Sequence, residues 1–542
     1  MFKVVTVDGM REIERAADAG GLTYAMMMEN AGRSVAQRIM ERIPEIAGRR
    51  VAILVGTGNN GGDGLVAGHY LAEAGAQVAA YLLRDRPADD ANLTRFKGHD
   101  ALVAVAKADQ QGRVLRNLVG SADVVVDAVL GTGFRLPLEG PAQELLATSA
   151  GILATREPRP FVVAIDCPSG VECDSGAAAP EALEADLTVT LAAAKPGLFT
   201  FPGAGFVGDL VLGDIGLPEG FPLLANSEVE VAEPGQLRTW LPKRPKDAHK
   251  GTFGRAIVAA GSVNYPGAAI LAGEAAYRLG AGLVTLAVPS NLQAMLAPQL
   301  PEATWVLLPN EMGAISEDAA SVLEPELAKT QALLLGPGFG QDPSTLAFVG
   351  RLLRGNEGGR AGMGFVHAGS GGAQVPASLP RCVVDADGLK LLAGIDRWWE
   401  LLPEHSILTP HPGEMAVLTR VTKDEIQRDR LGAARRAAAE WRQVVVLKGA
   451  YTVVADPAGR AAILPFATPA LARAGTGDVL AGAIVGLLAQ GMDAWQAGVL
   501  GAFLHGRAGE LAAEMQEDAA AVMAGDVLAC LAGALSELRN SR

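Results

Sequence analysis

Arg50-Val51-Ala52-Ile53-Leu54-Val55 runs directly into Gly56-Thr57-Gly58-Asn59-Asn60-Gly61-Gly62-Asp63-Gly64, and this stretch decides the fold class of the first half of the chain. The apolar run predicts a buried strand, and the glycine-rich segment predicts a loop before a helix over residues 65–74. A strand, a glycine-rich turn and a helix bring backbone N–H groups to a pyrophosphate in nucleotide-binding α/β folds, although the spacing here is not GxGxxG. We expect a functional loop, because five glycines and two asparagines in so short a run have no evident packing use.

The alternation of strands and helices continues after this loop. Strand patterns at 77–83, 124–127 and 161–166 alternate with helical patterns, which predicts an α/β domain with a mostly parallel sheet. Asp127 and Asp166 close two of these strands, at the sheet edge where open α/β folds bind their ligands. Aspartates in such places can also be helix caps or turn formers. We predict that both acids share one cleft with the glycine-rich loop.

A second stretch with the character of an anion site is Arg473-Ala474-Gly475-Thr476-Gly477-Asp478, which precedes an apolar helical segment. Its glycines let backbone N–H groups converge at the positive end of a helix dipole, so an anion can bind without a basic side chain. Asp478 can be the N-cap of that helix or a base that takes a hydroxyl proton while a phosphoryl group arrives. Kinase-type chemistry is therefore the first hypothesis for the second half.

The strands before this stretch predict a second α/β unit with one cleft. Strand patterns at 255–262, 283–288, 332–335, 382–385 and 444–447 alternate with helices and glycine-rich turns. His411 and Glu414 follow a further strand, at 407–409. A lone histidine is usually a satisfied core or surface group, but its place at a strand end between two prolines favours a site residue.

Length, charge and cysteine content limit the class of protein. The 542 residues predict about two to four domains, and 49% apolar with 20% charged residues is ordinary for a globular protein. A net charge of -14 argues against a nucleic-acid or anionic-membrane surface. Four cysteines without a CxxC pair make a disulfide framework or a structural zinc site improbable. With neither a secretory signal nor a membrane-spanning run in view, we expect a cytoplasmic protein. We also expect a homo-oligomer.

Proline-rich, irregular sequence at 217–222 and 241–246 indicates a linker. We place the boundary there, so that the domains are 1–226 and 227–542. The glycine-rich stretch 355–377 is interpreted as a mobile surface insertion.

Four motifs of the first half together resemble the epimerase domain of NAD(P)H-hydrate repair proteins. They are Met28-Glu29-Asn30-Ala31-Gly32, Asn59-Asn60-Gly61-Gly62-Asp63-Gly64, Asp127 with Gly131-Thr132-Gly133, and Asp166-Cys167-Pro168-Ser169-Gly170. The resemblance implies a Rossmann-like three-layer domain that binds hydrated NAD(P)H and interconverts its R and S epimers at C6.

The residues that this resemblance implies fall into three sets. The nucleotide would be held by Asn59, Asn60, Gly61, Gly62, Asp63, Gly131, Thr132, Gly133, Phe134, Arg135, Leu136, Pro137 and Asp166. A potassium ion would be bound by Asn60, Asp127 and Ser169, all of which offer oxygen ligands. Asp166 would be the proton-transfer residue.

The second half resembles the ribokinase-like fold, and within it the nucleotide-dependent NAD(P)H-hydrate dehydratases. The motifs that carry the resemblance are Lys250-Gly251-Thr252-Phe253-Gly254, 336–340, 409–414, Lys448-Gly449-Ala450 and 474–478. The implied reaction is phosphorylation of the C6 hydroxyl of (6S)-NAD(P)HX, the hydrate, followed by loss of phosphate. Phosphate leaves readily, whereas hydroxide does not.

The resemblance also implies the site residues of the second half. The hydrate would contact Ala268, Gly340, His411 and Asp478, with Asp478 as the base. The adenine nucleotide, ADP or possibly ATP, would contact Lys448, Gly449, Ala450, Tyr451, Thr452 and Gly477. Glu414 would help to order Mg²⁺ through water.

Two other functions compete with repair of hydrated NAD(P)H. A vitamin or sugar kinase with an N-terminal nucleotide-binding module would use the same anion site and base, and would release a stable phosphorylated product. Alternatively, the first domain is a non-catalytic binding or scaffolding module, in which case Asp166→Ala leaves the conversion of R to S unchanged.

Overall fold

The computed structural model describes residues 2–355 and 379–541, and the chain divides into two compact units, Phe2–Ser227 and Glu228–Arg542. Apart from Gly355, the insertion predicted at 355–377 lies outside the described residues. In the part of the chain that is described, no helix has the length and apolar character needed to cross a bilayer.

The N-terminal unit is built on one parallel sheet. Its strands are β1 (Arg50–Val55), β2 (Gln77–Leu82), β3 (Leu102–Val105), β4 (Val124–Ala128), β5 (Phe161–Ile165), β6 (Leu187–Leu191) and β7 (Asp209–Gly213). Their spatial order is β3-β2-β1-β4-β5-β6-β7, and every adjacent pair is parallel. The order reverses between β1 and β4, which creates the crevice where sheets of this type bind ligands.

Helices cover both faces of this sheet. They are α1 (Val7–Ala19), α2 (Tyr24–Arg42), α3 (Asn59–Glu73), α4 (Ala91–Lys97), α5 (Arg113–Ser121), α6 (Gly140–Leu153) and the short α7 (Pro222–Ala225). Alternate residues of β1 serve the two cores: Ile53 packs with α2 and α3, whereas Leu54 packs with α5 and α6. The predicted three-layer, Rossmann-like α/β fold is confirmed.

The glycine-rich segment is shorter as a loop than the sequence predicted. Helix α3 begins at Asn59, so residues 59–64 form its first turns. The glycines there also have a packing use: a Cβ on Gly61 would lie 2.3 Å from the carbonyl oxygen of Gly56, and one on Gly64 would lie 2.6 Å from Cβ of Ala128. The prediction of a loop as far as Gly64 was therefore wrong, because the helix needs small residues where it crosses the sheet.

The C-terminal unit contains a larger, mixed sheet. Its strands are β8 (Val229–Val231), β9 (Arg255–Ala259), β10 (Leu283–Pro289), β11 (Thr304–Leu308), β14 (Ala332–Leu335), β15 (Arg381–Val384), β16 (Ile407–Leu408), β17 (Val444–Leu447), β18 (Val453–Ala455) and β19 (Ala461–Ile463), with the small hairpin β12 (Asn310–Glu311) and β13 (Ala314–Ile315) beside it. The order is β8-β19-β18-β17-β16-β15-β14-β9-β10-β11. From β17 to β11 all neighbours are parallel, and β18 is antiparallel to both of its neighbours.

Its helices are α8 (Pro234–Trp240), α9 (Gly267–Arg278), α10 (Gln293–Leu296), α11 (Ala319–Leu327), α12 (Pro343–Arg354), α13 (Asp387–Leu392), α14 (Pro412–Thr419), α15 (Lys423–Arg428), α16 (Arg430–Trp441), α17 (Thr476–Ala489), α18 (Ala494–Gln516) and α19 (Ala524–Asn540). One core joins the sheet to α8, α9, α17, α18 and α19. Val446 points into that core, whereas Val445 is buried on the opposite face of β17, against which α16 packs.

Close packing of α9 and α17 positions the second anion site. A Cβ on Gly482 would lie 2.2 Å from the carbonyl oxygen of Ala272, so only glycine allows this approach of the two helices. Helix α17 begins at Thr476, and its N-cap is Gly475, whose φ of 89° is in the left-handed region. The interpretation of Asp478 as an N-cap was wrong, since Asp478 lies inside the first turn and its carboxylate is left for another role.

Candidate active sites

A cavity of about 620 Å³ opens at the switch point of the N-terminal sheet. Its lining includes three carboxylic acids and a lysine: Glu14 from α1, Asp63 from α3, Asp166 after β5 and Lys195 after β6. Apolar side chains such as Met27 form much of the remaining wall. A cavity of this size with a few convergent polar groups suits a small-molecule ligand.

Asp166 is held firmly in this cavity. Its φ of 66° turns the chain sharply at the end of β5. The buried ammonium of Lys195 pairs with its Oδ1 atom, which also accepts a hydrogen bond from the backbone N–H of Leu191 at 3.1 Å. These two contacts fix the direction of the Asp166 carboxylate in the cavity.

The other two acids of the cavity are more easily protonated. Burial raises the pKa of Asp63 well above its usual range, and the charges of Asp166 and Glu14 add to that rise. The pKa of Glu14 is also raised, first by burial and then by the negative charge of Asp166. One cavity thus contains a fixed carboxylate and carboxyl groups that hold their protons more tightly.

The three residues predicted to bind potassium lie together beneath the cavity. Asp127 is fully buried and accepts hydrogen bonds from the backbone N–H of Ser169 at 2.7 Å, the Ser169 hydroxyl at 2.5 Å and the N–H of Val129 at 3.2 Å. Asn60 donates from Nδ2 to the carbonyl oxygen of Leu130 at 2.9 Å, while its buried Oδ1 has no hydrogen-bond partner in the described part of the chain.

This donor set fits a monovalent cation. An orphaned buried amide oxygen costs about 1–3 kcal/mol when left without a partner. Burial raises the pKa of Asp127, which no neighbouring cation relieves in the described structure. A potassium ion ligated by hard oxygen atoms would satisfy the Asn60 oxygen and balance the Asp127 carboxylate.

Some residues predicted to contact the nucleotide line the cavity and others do not. Asn59, Asn60, Asp63 and the segment 131–134 line it, whereas Gly61 packs against the backbone of Gly56 and Gly62 against the side chain of Met28. Within the described residues, Arg135, Leu136 and Pro137 are not part of the lining. Sequence reasoning missed Glu14 and Lys195. The single basic residue in the apolar stretch 191–198 was the available signal for Lys195.

The C-terminal unit gathers a second set of charged groups at the ends of β15, β16 and β17. The ammonium of Lys448 lies 2.6 Å from Oδ1 of Asp385 and 3.7 Å from Oε2 of Glu414. Thr409 donates its hydroxyl to the same Asp385 atom at 2.7 Å. Asp385 and Glu414 are buried, so Lys448 compensates two acids that water does not reach.

Asp478 lies beside this network, and the pKa of its carboxyl is raised. Burial raises its pKa to about 7, and the charges of Asp385, Asp387 and Glu414 add to the rise while Lys448 opposes it. The neighbouring Gly477 leaves space toward Lys448, since a Cβ there would lie 3.5 Å from Nζ. A carboxyl with a pKa near neutrality at a helix N-terminus can exchange a proton beside a bound anion.

The other predicted residues surround this network. His411 is the N-cap of α14: its Nδ1 accepts from the N–H of Gly413 at 2.9 Å, and Glu414 returns the contact by accepting from the N–H of His411 at 2.9 Å. The N–H of Gly340 donates to Oδ2 of Asp387 at 2.9 Å. This capping role is enough to explain the burial of Glu414, and no metal ion is needed to account for it.

Three further features complete the C-terminal site. Ala268 lies at the start of α9, 3.0 Å from where a Cβ on Gly338 would stand. Thr452 donates its hydroxyl to the carbonyl oxygen of Gly449, which closes the turn 448–452 after β17. Sequence reasoning missed Asp385 and Asp387, although Asp385 follows a buried strand in the same way as Asp127 and Asp166.

Comparisons with known proteins cover both units. The family model described as NAD(P)H-hydrate dehydratase matches residues 256–532, and the one described as YjeF-related protein N-terminus matches residues 24–197. The chain is 40% identical to the bifunctional NAD(P)H-hydrate repair enzyme of Moorella thermoacetica, over 99% of this chain and 97% of that protein. It is 35% identical to the enzyme of the same description from Thermofilum pendens, over 95% and 92% of the two chains.

A solved structure is similar to the C-terminal unit. The ADP/ATP-dependent NAD(P)H-hydrate dehydratase of Bacillus subtilis, co-crystallised with ATP and Mg²⁺, is 31% identical. The similarity covers 57% of this chain and 99% of that one, with a TM-score of 0.46.

Proposed function

Because the chain belongs to the family of bifunctional NAD(P)H-hydrate repair enzymes, as its motifs predicted, we propose that it converts both epimers of NAD(P)HX back to NAD(P)H. Residues 1–226 act as the epimerase and residues 227–542 as the ribokinase-like dehydratase. The epimerase supplies the S hydrate that the dehydratase consumes. The phosphoryl donor is ADP, and ATP is the alternative donor that the experiment below compares with it.

In the dehydratase, Asp478 takes the proton of the C6 hydroxyl as the oxygen attacks the terminal phosphorus of the nucleotide. The N–H groups at the start of α17 and the ammonium of Lys448 balance the charge that develops on the phosphoryl oxygens. The phosphate formed on C6 then leaves, which restores the ring double bond. Ala268, Gly340 and His411 bind the hydrate, and the segment 448–452 with Gly477 binds the adenine nucleotide.

One observation carries this proposal: the Asp478 carboxyl has a pKa of about 7 in the first turn of a helix whose N-terminus is free to receive an anion. An ordinary surface aspartate is fully ionised at neutral pH and is a weak base. Burial among other acids makes Asp478 a stronger base, whose pKa is close to the working pH.

We further propose that the domains use different cations. In the epimerase, Asn60, Asp127 and Ser169 hold K⁺, which supports the loop 131–134 through Leu130. In the dehydratase, Glu414 contacts Mg²⁺ through water, since one oxygen of its carboxylate already serves the cap of α14. When bound, Mg²⁺ neutralises charge on the transferred phosphoryl group.

The experiment is to add the protein, Mg²⁺ and either ADP or ATP to mixed R and S NADHX and follow the near-ultraviolet absorbance of NADH. Complete recovery of NADH is expected, and an Asp478→Ala protein should restore none. Recovery that stops at the S fraction would leave the N-terminal unit as a binding module. With no recovery from either nucleotide the repair function fails, and a stable phosphorylated alcohol would then indicate a vitamin or sugar kinase.

A further inference from the structure

Glu14 places an unassigned carboxyl group in the N-terminal cavity. It lies on α1, and the family match that begins at residue 24 does not include this helix. Its side chain lines the cavity together with Asp166 and Lys195. In the described part of the chain, the Glu14 carboxyl makes neither a hydrogen bond nor an ion pair, so packing of the fold does not use its polar atoms.

The surroundings of the Glu14 carboxyl differ from those of Asp63 and Asp166. Burial and then the charge of Asp166 raise the pKa of Glu14, and they outweigh the charges of Lys195 and Arg11, which favour its ionised form. Asp166 differs from Glu14 in that its Oδ1 atom already pairs with the buried ammonium of Lys195. Asp63 is so deeply buried that its pKa lies far above the usual range, so it does not readily release a proton. Glu14 combines a place in the cavity wall, a carboxyl that makes no hydrogen bond in the described part of the chain and a raised pKa, which together suit it to give and regain a proton.

We propose that Glu14 is the acid partner of Asp166 in epimerisation, donating the proton to the oxygen that leaves C6. This inference rests on the epimerase activity proposed above. Epimerisation at C6 breaks the C6–O bond and re-forms it on the other face of the ring. A pair of carboxyl groups, one acid and one base, is the arrangement that such an exchange needs.

Glu14 gives its proton to the C6 hydroxyl, the C6–O bond breaks with both electrons going to oxygen, and water leaves. The lone pair of N1 forms an N1=C6 iminium. A water adds to C6, the electron pair returns to N1, and the Asp166 carboxylate takes the surplus proton. That proton returns from Asp166 to Glu14 through water in the cavity, and nothing is oxidised or reduced.

Lys195 has a positioning role in this scheme. Its buried ammonium pairs with Oδ1 of Asp166 and so fixes the direction of the carboxylate that takes the proton. The pKa of Lys195 is raised by the Asp166 charge against the effect of burial, so the ammonium remains charged.

The test starts from purified R-NADHX without nucleotide, so that dehydration cannot contribute, and follows the R to S ratio by chromatography. Glu14→Gln should lower kcat by about 100-fold or more with KM little changed. Glu12→Gln, an exposed position on the same helix, should behave as the unmodified protein. The kcat of the unmodified protein should fall as pH rises through the raised pKa of Glu14, because the acid form is lost. Glu14→Gln should lack that fall, and Glu14→Asp should regain part of the rate.

The possible results distinguish a failure of the Glu14 role from a failure of the proposed epimerase activity. If the unmodified protein does not interconvert the epimers, the proposed epimerase function fails. If it does and Glu14→Gln matches Glu12→Gln, the role of Glu14 is overturned. A rise in KM with kcat and pH profile unchanged would also overturn it, since Glu14 would then only shape the cavity. Thermal unfolding of the Glu14→Gln protein, compared with Glu12→Gln, shows whether a loss of rate reflects a loss of fold.

Discussion

The ammonium of Lys448 lies 2.6 Å from Oδ1 of Asp385, and the two residues follow β17 and β15, parallel strands on either side of β16. Removing the Lys448 charge would leave the buried Asp385 carboxylate without its cation, whereas removing the Asp385 charge would leave Lys448 with Glu414 alone. The pair also acts on Asp478, because the Asp385 charge raises the pKa of that carboxyl while the Lys448 charge lowers it. The balance within this pair therefore sets how strong a base Asp478 is.

We predict that Asp385→Asn shifts the acid limb of the dehydratase pH profile to lower pH by roughly one unit. The substitution removes a negative charge that raises the Asp478 pKa and releases Lys448, whose charge lowers it. The measurement is kcat/KM for S-NADHX with saturating nucleotide across the pH range. Asp396→Asn, on the exposed surface of the same unit, should leave the profile in place. An unmoved acid limb in Asp385→Asn would show that Asp385 does not tune Asp478.

Asp478 should also make the protein less stable at high pH. Its pKa is about 7 in the folded protein and 3.8 for the free side chain, so the folded state binds the proton more tightly. The associated stability is fully present below pH about 4 and is lost as pH rises through about 7. We predict that Asp478→Asn raises the free energy of unfolding at pH about 8, by a few kcal/mol at most, and has much less effect at pH about 4.

Urea unfolding of the full chain at the two pH values measures this effect, with Asp396→Asn as the control. Equal stabilisation at both pH values would mean that the gain comes from packing rather than from the charge. The dehydratase rate of Asp478→Asn should fall at the same time by a factor of about 100 to 10,000, because the base is lost.

The proposed potassium site predicts that the stability of the N-terminal unit differs between salts. We expect the N-terminal unit to unfold at a higher temperature in potassium chloride than in N-methylglucamine chloride, because only K⁺ can satisfy Oδ1 of Asn60 and the buried Asp127 carboxylate. Asp127→Asn should abolish the difference. It should also cost about 1–3 kcal/mol, because an N–H of Ser169 or Val129 would then face an amide NH₂.

The exposed Asp89→Asn protein should keep the full potassium effect. The same rise in unfolding temperature in the Asp127→Asn protein would show that potassium acts elsewhere.

The parts of both sites that were predictable lie at the ends of strands. Asp127, Asp166 and Asp478 could be found because a carboxylate after a buried strand, or at a glycine-rich helix start, is conspicuous in one dimension. Lys448 was recognised by its motif, but its pairing with Asp385 was not. A long flexible side chain can reach several partners, so the identity of its partner depends on the tertiary structure.

Glu14 was missed for a related reason. It lies on an amphipathic helix whose polar residues are expected to face solvent, and only the packing of α1 turns this one toward the cavity. The same limitation produced the error at the glycine-rich stretch. A glycine can be needed because the backbone must adopt an unusual conformation or because a neighbouring group leaves no room for a Cβ. The sequence does not distinguish these two reasons, since the second depends on which atoms lie next to the glycine in the fold.

That distinction supplies a final prediction, with a matched pair of substitutions three residues apart. Gly61→Ala should destabilise the N-terminal unit by about 1–3 kcal/mol or prevent its folding, because the new Cβ would lie 2.3 Å from the backbone carbonyl oxygen of Gly56. The clash is with backbone, which cannot rotate away, so the better helix propensity of alanine does not compensate. Gly58→Ala meets nothing within 4 Å and has an ordinary φ of -90°, so it should be nearly neutral. Thermal unfolding of both proteins, with dehydratase activity as an internal reference for the C-terminal unit, measures the difference. If the two variants were equally stable but Gly61→Ala alone lost epimerase activity, this glycine would serve the ligand rather than the packing of α3.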